Sequence, residues 1–271
     1  MSMPKGLKAI DCMMRKNPPR MATPPRGGVD YLFNDFAERT AEGTTFEQLV
    51  VTMDEIGIEK GLLEINPADP ADAALKAVEK YPQKFIPFGI ISPHEGTGGV
   101  RRLESLVKNH HIKALHVFPA REQVQPNDKK YYPLYSKCIE LNIPVTISVG
   151  IPGPRVPGWV QDPIFLDEVC WFFPELTVVM THGGEPWQFL CVKLMIKWPN
   201  LYYMTSAFAP KFYPQEIMQY MNTRGEDKVM FATGFPLIDC RRAMAELKDL
   251  ALKDHVWPKF LRENATKVFK L

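Results

Sequence analysis

The sequence predicts an α/β protein, a (β/α)8 TIM barrel that spans residues 1–271 as one domain. Apolar strand-like runs alternate with amphipathic helical patterns along the chain, and such βα units build parallel sheets because parallel strands need crossover helices. Eight units within 271 residues favour a closed barrel. No GxGxxG motif follows the first run, which argues against a dinucleotide-binding fold.

The strands are predicted from apolar runs that carry many β-branched and aromatic residues. In chain order they cover residues 7–12, 60–65, 85–91, 112–118, 144–149, 176–181, 201–205 and 228–233. Two long loops, 16–28 and 120–130, follow the first and fourth of these runs. Barrel active sites are built at the carboxyl ends of the strands, so both loops are expected at the active face.

The helices are predicted from amphipathic patterns between the strands. The clearest is 46–56, where apolar residues recur at helical spacing and Gly57 follows. The other predicted helices cover 71–80, 99–109, 132–141, 162–173, 186–197, 214–222, 241–250 and 253–267. This order places a helix between every two successive strands, as the barrel requires.

The composition excludes several classes of protein. Hydrophobic residues make up 45% and charged residues 24%, which is typical of soluble globular proteins. The net charge of +2 is too small for a general nucleic-acid binder. No apolar run approaches the length of about 18 residues that spans a membrane, and the first residues lack a signal-peptide core. Five scattered cysteines without a CxxC pair indicate free thiols, so a cytoplasmic location is expected.

Two histidines are candidates for a functional site. His116 and His182 each end an apolar strand-like run, so both are expected at the mouth of the barrel. A single histidine at a strand end is often only a hydrogen-bonded core residue. Two that converge on one mouth favour a metal site about as strongly as that structural alternative.

Three carboxylates strengthen the case for a metal site. Glu64 and Asp11 interrupt apolar strands, where an ionised carboxylate needs a cation or strong donors. The structural alternatives are a salt bridge to an arginine for Glu64 and a strand-end or capping role for Asp11. Glu185 lies three residues after His182, a spacing that aims both side chains at one point if a helix starts at residues 183–184. Its alternative is a first-turn glutamate favoured by the helix dipole.

The carboxyl-terminal half resembles the amidohydrolase-2 branch of the amidohydrolase superfamily. The resemblance rests on residues 182–187 (HGGEPW), 197–203 (KWPNLYY), 224–236 (RGEDKVMFATGFP) and 263–265 (ENA). It implies the barrel but not hydrolysis, because the metal-binding positions differ. Met13 and Arg15 replace the two histidines of the family's Asp-x-His-x-His strand, Ser148 replaces the strand-five histidine, Gly234 replaces the strand-eight aspartate, and His182 is kept.

The sequence is also similar to a diverged group with the same barrel that includes the nonheme diiron monooxygenase of platensimycin and platencin biosynthesis. The similar stretches are residues 126–135, 150–157, 167–176, 193–200, 206–211 and 256–261. This resemblance implies two irons, dioxygen and an external electron donor. It further implies hydroxylation of a CoA-linked diterpenoid of the ent-kaurane or ent-atisane type in antibiotic biosynthesis.

The residues then predict two parts of a site. The predicted metal ligands are Asp11, Glu64, His116, His182 and Glu185, with Asp35, Asp128 or Asp239 as further donors; no catalytic residue is assigned beyond the ligands. The CoA phosphates are expected near loop cations, and the acyl chain near Trp159 and the proline-rich loop 150–158. These cations are Arg121, Lys129, Lys130 and Arg155.

Other functions remain open. A mononuclear-metal hydrolase or decarboxylase with altered ligands is the main alternative, and a barrel that only binds a ligand is the other. No GxSxG motif supports a serine hydrolase. The expected partners are the substrate, an electron-donor reductase for the oxygenase reading, and a second copy of the chain in a dimer, with no nucleic acid and no membrane.

Overall fold

The structure, a computed structural model, describes residues 3–4, 6–18, 28–33, 35–69 and 71–271. Eight strands form one sheet in the order of the sequence, and every neighbouring pair is parallel. They are β1 Ala9–Met14, β2 Ile58–Ile65, β3 Phe85–Ile90, β4 Leu115–Val117, β5 Val145–Ser148, β6 Val178–Thr181, β7 Leu201–Met204 and β8 Val229–Met230. The predicted fold class, an α/β TIM barrel, is confirmed.

The helices lie between the strands. They are α1 Phe36–Arg39, α2 Phe46–Ile56, α3 Ala73–Lys80, α4 Gly96–His110, α5 Pro119–Glu122, α6 Tyr132–Glu140, α7 Phe165–Phe172, α8 Gln188–Lys197, α9 Gln215–Met221, α10 Cys240–Glu246, α11 Val256–Pro258 and α12 Asn264–Phe269. A π-helical turn, Lys259–Glu263, joins α11 to α12. Single 3₁₀ turns cover Asp30–Leu32, Pro93–Glu95, Trp159–Gln161, Pro210–Phe212 and Leu247–Asp249.

Backbone hydrogen bonds connect β1 to the chain segment that follows β8, which closes the ring of strands. The N–H of Cys12 donates to the carbonyl of Phe231 at 3.0 Å, and the N–H of Gly234 donates to the carbonyl of Met13 at 3.0 Å. The N–H of Arg15 donates to the carbonyl of Phe235 at 2.9 Å. These bonds hold the end of β1 and the residues after β8 side by side at the mouth.

Two apolar clusters stabilise the barrel. The larger lies between the sheet and the helices and includes Leu49 of α2 and Leu103 of α4. The smaller fills the interior of the barrel with side chains such as Ile10, Leu62 and Phe88. Helix α12 contributes Val268 and Phe269 to this inner cluster, so apolar side chains fill one end of the barrel and polar groups gather at the other.

One irregularity in β1 changes which side chains face inward. Strict alternation predicts that Asp11, Met13 and Arg15 share a face. The register of β1 against β2 shifts between Asp11 and Met14, and the adjacent residues Cys12 and Met13 both contact the inner cluster. A shift of this kind adds a residue to one strand and re-aims the side chains beyond it.

Features expected from composition are visible where the structure describes them. The five cysteines are buried free thiols. Within the described residues, no helix is both long and apolar enough to cross a membrane. Residues 19–27 of the predicted 16–28 loop lie outside the described part of the chain.

Helix α2 begins with a capping box that offers a test of local stability. The Thr45 hydroxyl accepts from the N–H of Gln48 at 3.2 Å, and the Gln48 side chain accepts from the N–H of Thr45 at 2.8 Å. We expect Thr45→Ala to lower the free energy of unfolding by about 1 kcal/mol, because it leaves an N-terminal N–H without its acceptor. Urea denaturation measures this, with Thr45→Ser as the control that keeps the hydroxyl. Equal stability of Thr45→Ala and the native chain would contradict it.

Candidate active site

The mouth of the barrel collects polar side chains from seven strand ends. They are Asp11 from β1, Arg15 directly after β1, Glu64 from β2, His116 from β4, Ser148 from β5, His182 after β6, Ser206 after β7 and Thr233 after β8. Carboxyl ends of parallel strands meet at one face of a barrel, so residues distant in sequence become neighbours there.

His116 and His182 lie against each other. Their ring centroids are 6.1 Å apart and their planes differ by 20°. His116 Nδ1 is 2.8 Å from the Thr146 hydroxyl oxygen, and its Nε2 is 3.4 Å from the Ser148 hydroxyl oxygen. His182 Nδ1 is 3.2 Å from the Ser206 hydroxyl oxygen. Neighbouring hydroxyls thus fix the orientation of both rings.

Both imidazoles are neutral near pH 7. Burial, followed by the positive charge of Arg15, lowers the pKa of His116 well below its usual range. The same two causes, in the same order, lower the pKa of His182 to about 3. A neutral imidazole carries one donor nitrogen and one acceptor nitrogen. The pair therefore offers hydrogen bonds rather than positive charge, and the positive charge at the mouth is that of Arg15.

Asp11 is buried and saturated with hydrogen bonds. One carboxylate oxygen accepts from the N–H groups of Met13 at 3.1 Å and Thr233 at 3.0 Å. The other accepts from the Thr233 hydroxyl at 2.5 Å. Burial raises the pKa of Asp11 to about 6 despite these three donors. In this arrangement Asp11 fastens β1 to the segment after β8, in line with the strand-end role considered for it.

Glu64 lies beside Arg15. Arg15 Nε is 2.8 Å from Glu64 Oε2, and the two side chains are 31% and 29% exposed. The Nε–H is not directed at this oxygen, and within the described chain this buried nitrogen has no hydrogen-bond acceptor. The structure therefore gives Glu64 the arginine neighbour that was its structural alternative, while a metal role for it stays a prediction.

Glu185 is exposed and stands outside the helix that was expected to aim it. Helix α8 begins at Gln188, two residues after the predicted start of the helix 186–197, and no helix starts at residues 183–184. His182, Gly183 and Gly184 all have positive φ, which is incompatible with a right-handed helix. The His-x-x-Glu spacing here crosses a turn, and the ligand role of Glu185 stays a prediction.

The three further candidate donors have local structural contacts. Asp239 caps α10 by accepting from the N–H of Arg242 at 2.9 Å. Asp128 accepts from the N–H of Lys130 at 2.8 Å. Asp35 Oδ2 lies 3.8 Å from Arg39 Nε. These contacts are those of turn and cap carboxylates.

The candidate CoA-binding cations are exposed; Arg121 lies in α5, and the other three lie in loops. Arg155 lies over the Tyr31 ring at 4.6 Å, Arg121 is 3.9 Å from Glu122, and Lys130 is 3.7 Å from Asp128. Lys129 is also exposed, as is Trp159. These contacts are compatible with any surface loop, so a CoA site stays a prediction.

The residues at the mouth do not fit a metal centre. No group of three or more His, Cys, Asp or Glu side chains in the described chain is arranged to hold a metal ion. The residues outside the described ranges include none of these four types. At Gly234, where the resembled family has aspartate, φ is +70° and a Cβ would lie 2.8 Å from the backbone nitrogen of Ala207. The chain thus leaves no room for that carboxylate.

Sequence reasoning missed part of this site. Arg15 was considered only as the replacement of a lost ligand, and Thr146, Ser148, Ser206 and Thr233 were not considered as partners of the candidate residues. The available signal is position, because Thr146, Ser148 and Thr233 lie within predicted strands and Ser206 lies directly after one. Arg15 lies three residues beyond the first predicted strand.

The chain belongs to the amidohydrolase family, whose model matches residues 14–271. No match was found among curated proteins.

Solved structures with the same fold include an uncharacterized TIM-barrel protein from Bordetella bronchiseptica. It is 23% identical, with 97% of this chain and 99% of that one covered, at a TM-score of 0.76. The 5-carboxyvanillate decarboxylase of Sphingomonas paucimobilis is 14% identical over 98% and 100% of the two chains, at a TM-score of 0.72. A dihydroxybenzoic acid decarboxylase from a Polaromonas species, with bound manganese and 2-nitroresorcinol, is 19% identical over 97% of each chain, at a TM-score of 0.70.

The expectation of an O2-dependent diiron monooxygenase is wrong. The functionally named structures described above are decarboxylases, and the one with a named metal contains manganese. The diiron expectation fails for a physical reason. Two irons need several carboxylate and imidazole ligands, which the described residues do not bring together. Two irons, dioxygen, an electron donor and a terpenoid substrate are unsupported.

Proposed function

We propose that the chain is a non-oxidative lyase that removes CO2 from an aromatic carboxylic acid at the mouth of the barrel. The observation that carries the proposal is that the Arg15 guanidinium and the stacked rings of His116 and His182 all lie at the carboxyl ends of the strands. The fold similarity to decarboxylases, two of which are named above, supports the same reaction class.

The proposed reaction needs an anion site and a proton carrier. The bond between the ring carbon and the carboxylate breaks, its electron pair stays on the ring carbon, and that carbon takes a proton. Arg15 orients the anionic substrate. His182 stays neutral and relays the proton from water instead of storing it as an imidazolium; its Nδ1 is 3.2 Å from the Ser206 hydroxyl oxygen, and its Nε2 has no hydrogen bond among the described residues. The proton comes from water, so no oxidant or reductant is needed.

Hydrolysis is a weaker candidate at this mouth. Activating water for attack requires a base, and the family's strand-eight aspartate is replaced by Gly234 in a conformation that excludes a side chain. Asp11 does not substitute for it, because all three of its hydrogen bonds go to Met13 and Thr233.

The proposal is tested by measuring CO2 release from a panel of hydroxybenzoic acids. The panel includes 2,6-dihydroxybenzoate and 5-carboxyvanillate. Benzoate, which has no hydroxyl group, is tested beside it for comparison. We expect at least one hydroxyaryl acid to yield one CO2 and the matching phenol under nitrogen. Absence of CO2 from every member, with intact protein, would reject this function.

We expect His182→Gln to lower the rate of CO2 release by roughly 100-fold or more, since general acid catalysis contributes roughly 10²- to 10⁴-fold. Glutamine keeps hydrogen bonding at this position but cannot carry a proton. Steady-state kinetics measure the effect, which should fall mainly on kcat rather than KM. His255→Gln is the control, because His255 is an exposed residue paired with Glu226 away from the mouth. An unchanged kcat in His182→Gln would remove the residue from the mechanism.

A further inference from the structure

Arg15 is held in a defined place at the mouth but has unused hydrogen-bonding capacity. Its backbone N–H donates to the carbonyl of Phe235 at 2.9 Å, which ties the residue to the segment after β8. Its side-chain Nε is buried and has no acceptor among the described residues, although Glu64 Oε2 lies 2.8 Å away. A buried donor without an acceptor is costly, so it indicates a place for a ligand atom that accepts a hydrogen bond.

The surroundings of Arg15 favour an anion. The other strand ends of this mouth carry His116 with Ser148 and His182 with Ser206, whose rings and hydroxyls can donate hydrogen bonds. Glu64 is the carboxylate in contact with the guanidinium, and it is about one third exposed. Asp11 is saturated by other donors. A planar carboxylate matches the fork of guanidinium donors, as a phosphate does, and it is the anion of the proposed substrate.

The same arrangement opposes a divalent metal ion. A guanidinium charge at the same mouth as the stacked His116 and His182 rings would repel a cation bound to them. The positions of four family ligands hold Met13, Arg15, Ser148 and Gly234. Met13 packs in the inner apolar cluster, and Gly234 has no space for a side chain. The metal implied by the fold family therefore has no ligand set here.

We propose that Arg15 is the resident cation of this site, that it binds the carboxylate of the substrate, and that the site functions without a divalent metal ion. This inference rests on the proposed function in the sense that both concern the same mouth. It assigns the positive charge of the site to a side chain directly after β1, whereas the Polaromonas decarboxylase structure contains bound manganese.

The test is calorimetric binding of salicylate to the full chain after treatment with a chelator, alongside elemental analysis for bound metals. We expect binding with less than 0.1 equivalents of any divalent metal, on the order of background, and no gain when manganese is added. Arg15→Gln should weaken salicylate binding roughly 10- to 100-fold, the size expected for a charge-assisted pair. Arg101→Gln removes an exposed arginine of α4 instead and should leave affinity unchanged.

Glu64→Gln distinguishes an anion site at Arg15 from a metal site at Glu64, because the two predict opposite changes in salicylate binding. If Arg15 binds the anion, loss of the competing carboxylate should strengthen salicylate binding about two- to tenfold, since an opposite charge near the guanidinium is removed. If Glu64 is a metal ligand, the same change should weaken binding of metal and ligand together. This variant also remains informative if Arg15→Gln does not fold.

Each outcome bears on one proposal. Equal salicylate affinity in the native chain and Arg15→Gln would overturn the inference, as would a full equivalent of manganese required for binding. Metal-free binding without CO2 release from any substrate would reject the proposed function and leave the anion site standing. CO2 release that depends strictly on manganese would overturn the inference of a metal-free site and leave the proposed function standing.

Discussion

Replacing Gly234 with aspartate is expected to lower the free energy of unfolding by on the order of 3–4 kcal/mol rather than to restore a metal site. Gly234 has φ +70°, a conformation that costs other residues energy. A Cβ at this position would also lie 2.8 Å from the backbone nitrogen of Ala207, so the backbone itself must move. The displaced carboxylate is not expected to bind metal, because Met13 and Arg15 still occupy the partner positions.

Alanine substitutions separate the cost of a positive φ from the cost of the steric clash. Gly57 also has positive φ, at +83°, but no atom lies within 4 Å of a Cβ built there. Gly57→Ala should therefore cost about 1 kcal/mol from conformation alone, while Gly234→Ala should cost clearly more. Urea denaturation measures both. Equal losses in the two alanine variants, or one equivalent of manganese bound by Gly234→Asp, would contradict the interpretation of this position.

The second large effect is a pH-dependent cost of burying Asp11. Burial raises the pKa of Asp11 from 3.8 to about 6, so the folded chain binds more protons than the unfolded chain between these values. Stability contributed by this group therefore falls as the pH rises through that window. Between about pH 4 and pH 7 the loss should reach roughly 2 kcal/mol, since one pKa unit corresponds to about 1.4 kcal/mol.

Asp11→Asn should remove this dependence while keeping the amide oxygen as an acceptor for the N–H groups of Met13 and Thr233. We expect the stability of Asp11→Asn relative to the native chain to rise by roughly 2 kcal/mol as the pH increases from about 4 to 7. The two chains differ only at residue 11, so contributions common to both cancel in the difference. Asp254→Asn removes the same charge from the surface and serves as the control for net charge. If the stability of Asp11→Asn relative to the native chain instead falls as the pH rises, a raised pKa of Asp11 is contradicted.

The fold could be predicted from the sequence because its signal is repeated. Each strand is an apolar run, and each intervening segment has helical periodicity, so errors of a few residues at element ends did not change the topology. The nearness of His116 and His182 followed from the same logic, because both end strands of a parallel barrel. Their rings are 6.1 Å apart in the structure.

The rest of the site depends on features that periodicity does not encode. The register shift in β1 places Cys12 and Met13 in the same inner cluster, which simple alternation does not anticipate. The positive φ values at residues 182–184 delay the start of α8 and leave Glu185 exposed. The nearness of Arg15 to Glu64 joins two strands, and a pattern within one strand does not show which cation a carboxylate will meet.

We infer that the mouth of the barrel performs a non-oxidative decarboxylation with Arg15 as its cation. It is tested most directly by following CO2 release and O2 uptake together in chelator-treated protein supplied with the best hydroxyaryl acid from the panel. We predict one CO2 for each acid consumed, no O2 uptake, and the same rate before and after chelation. O2 uptake matched to product, or a rate that vanishes on chelation and returns with manganese, would contradict it.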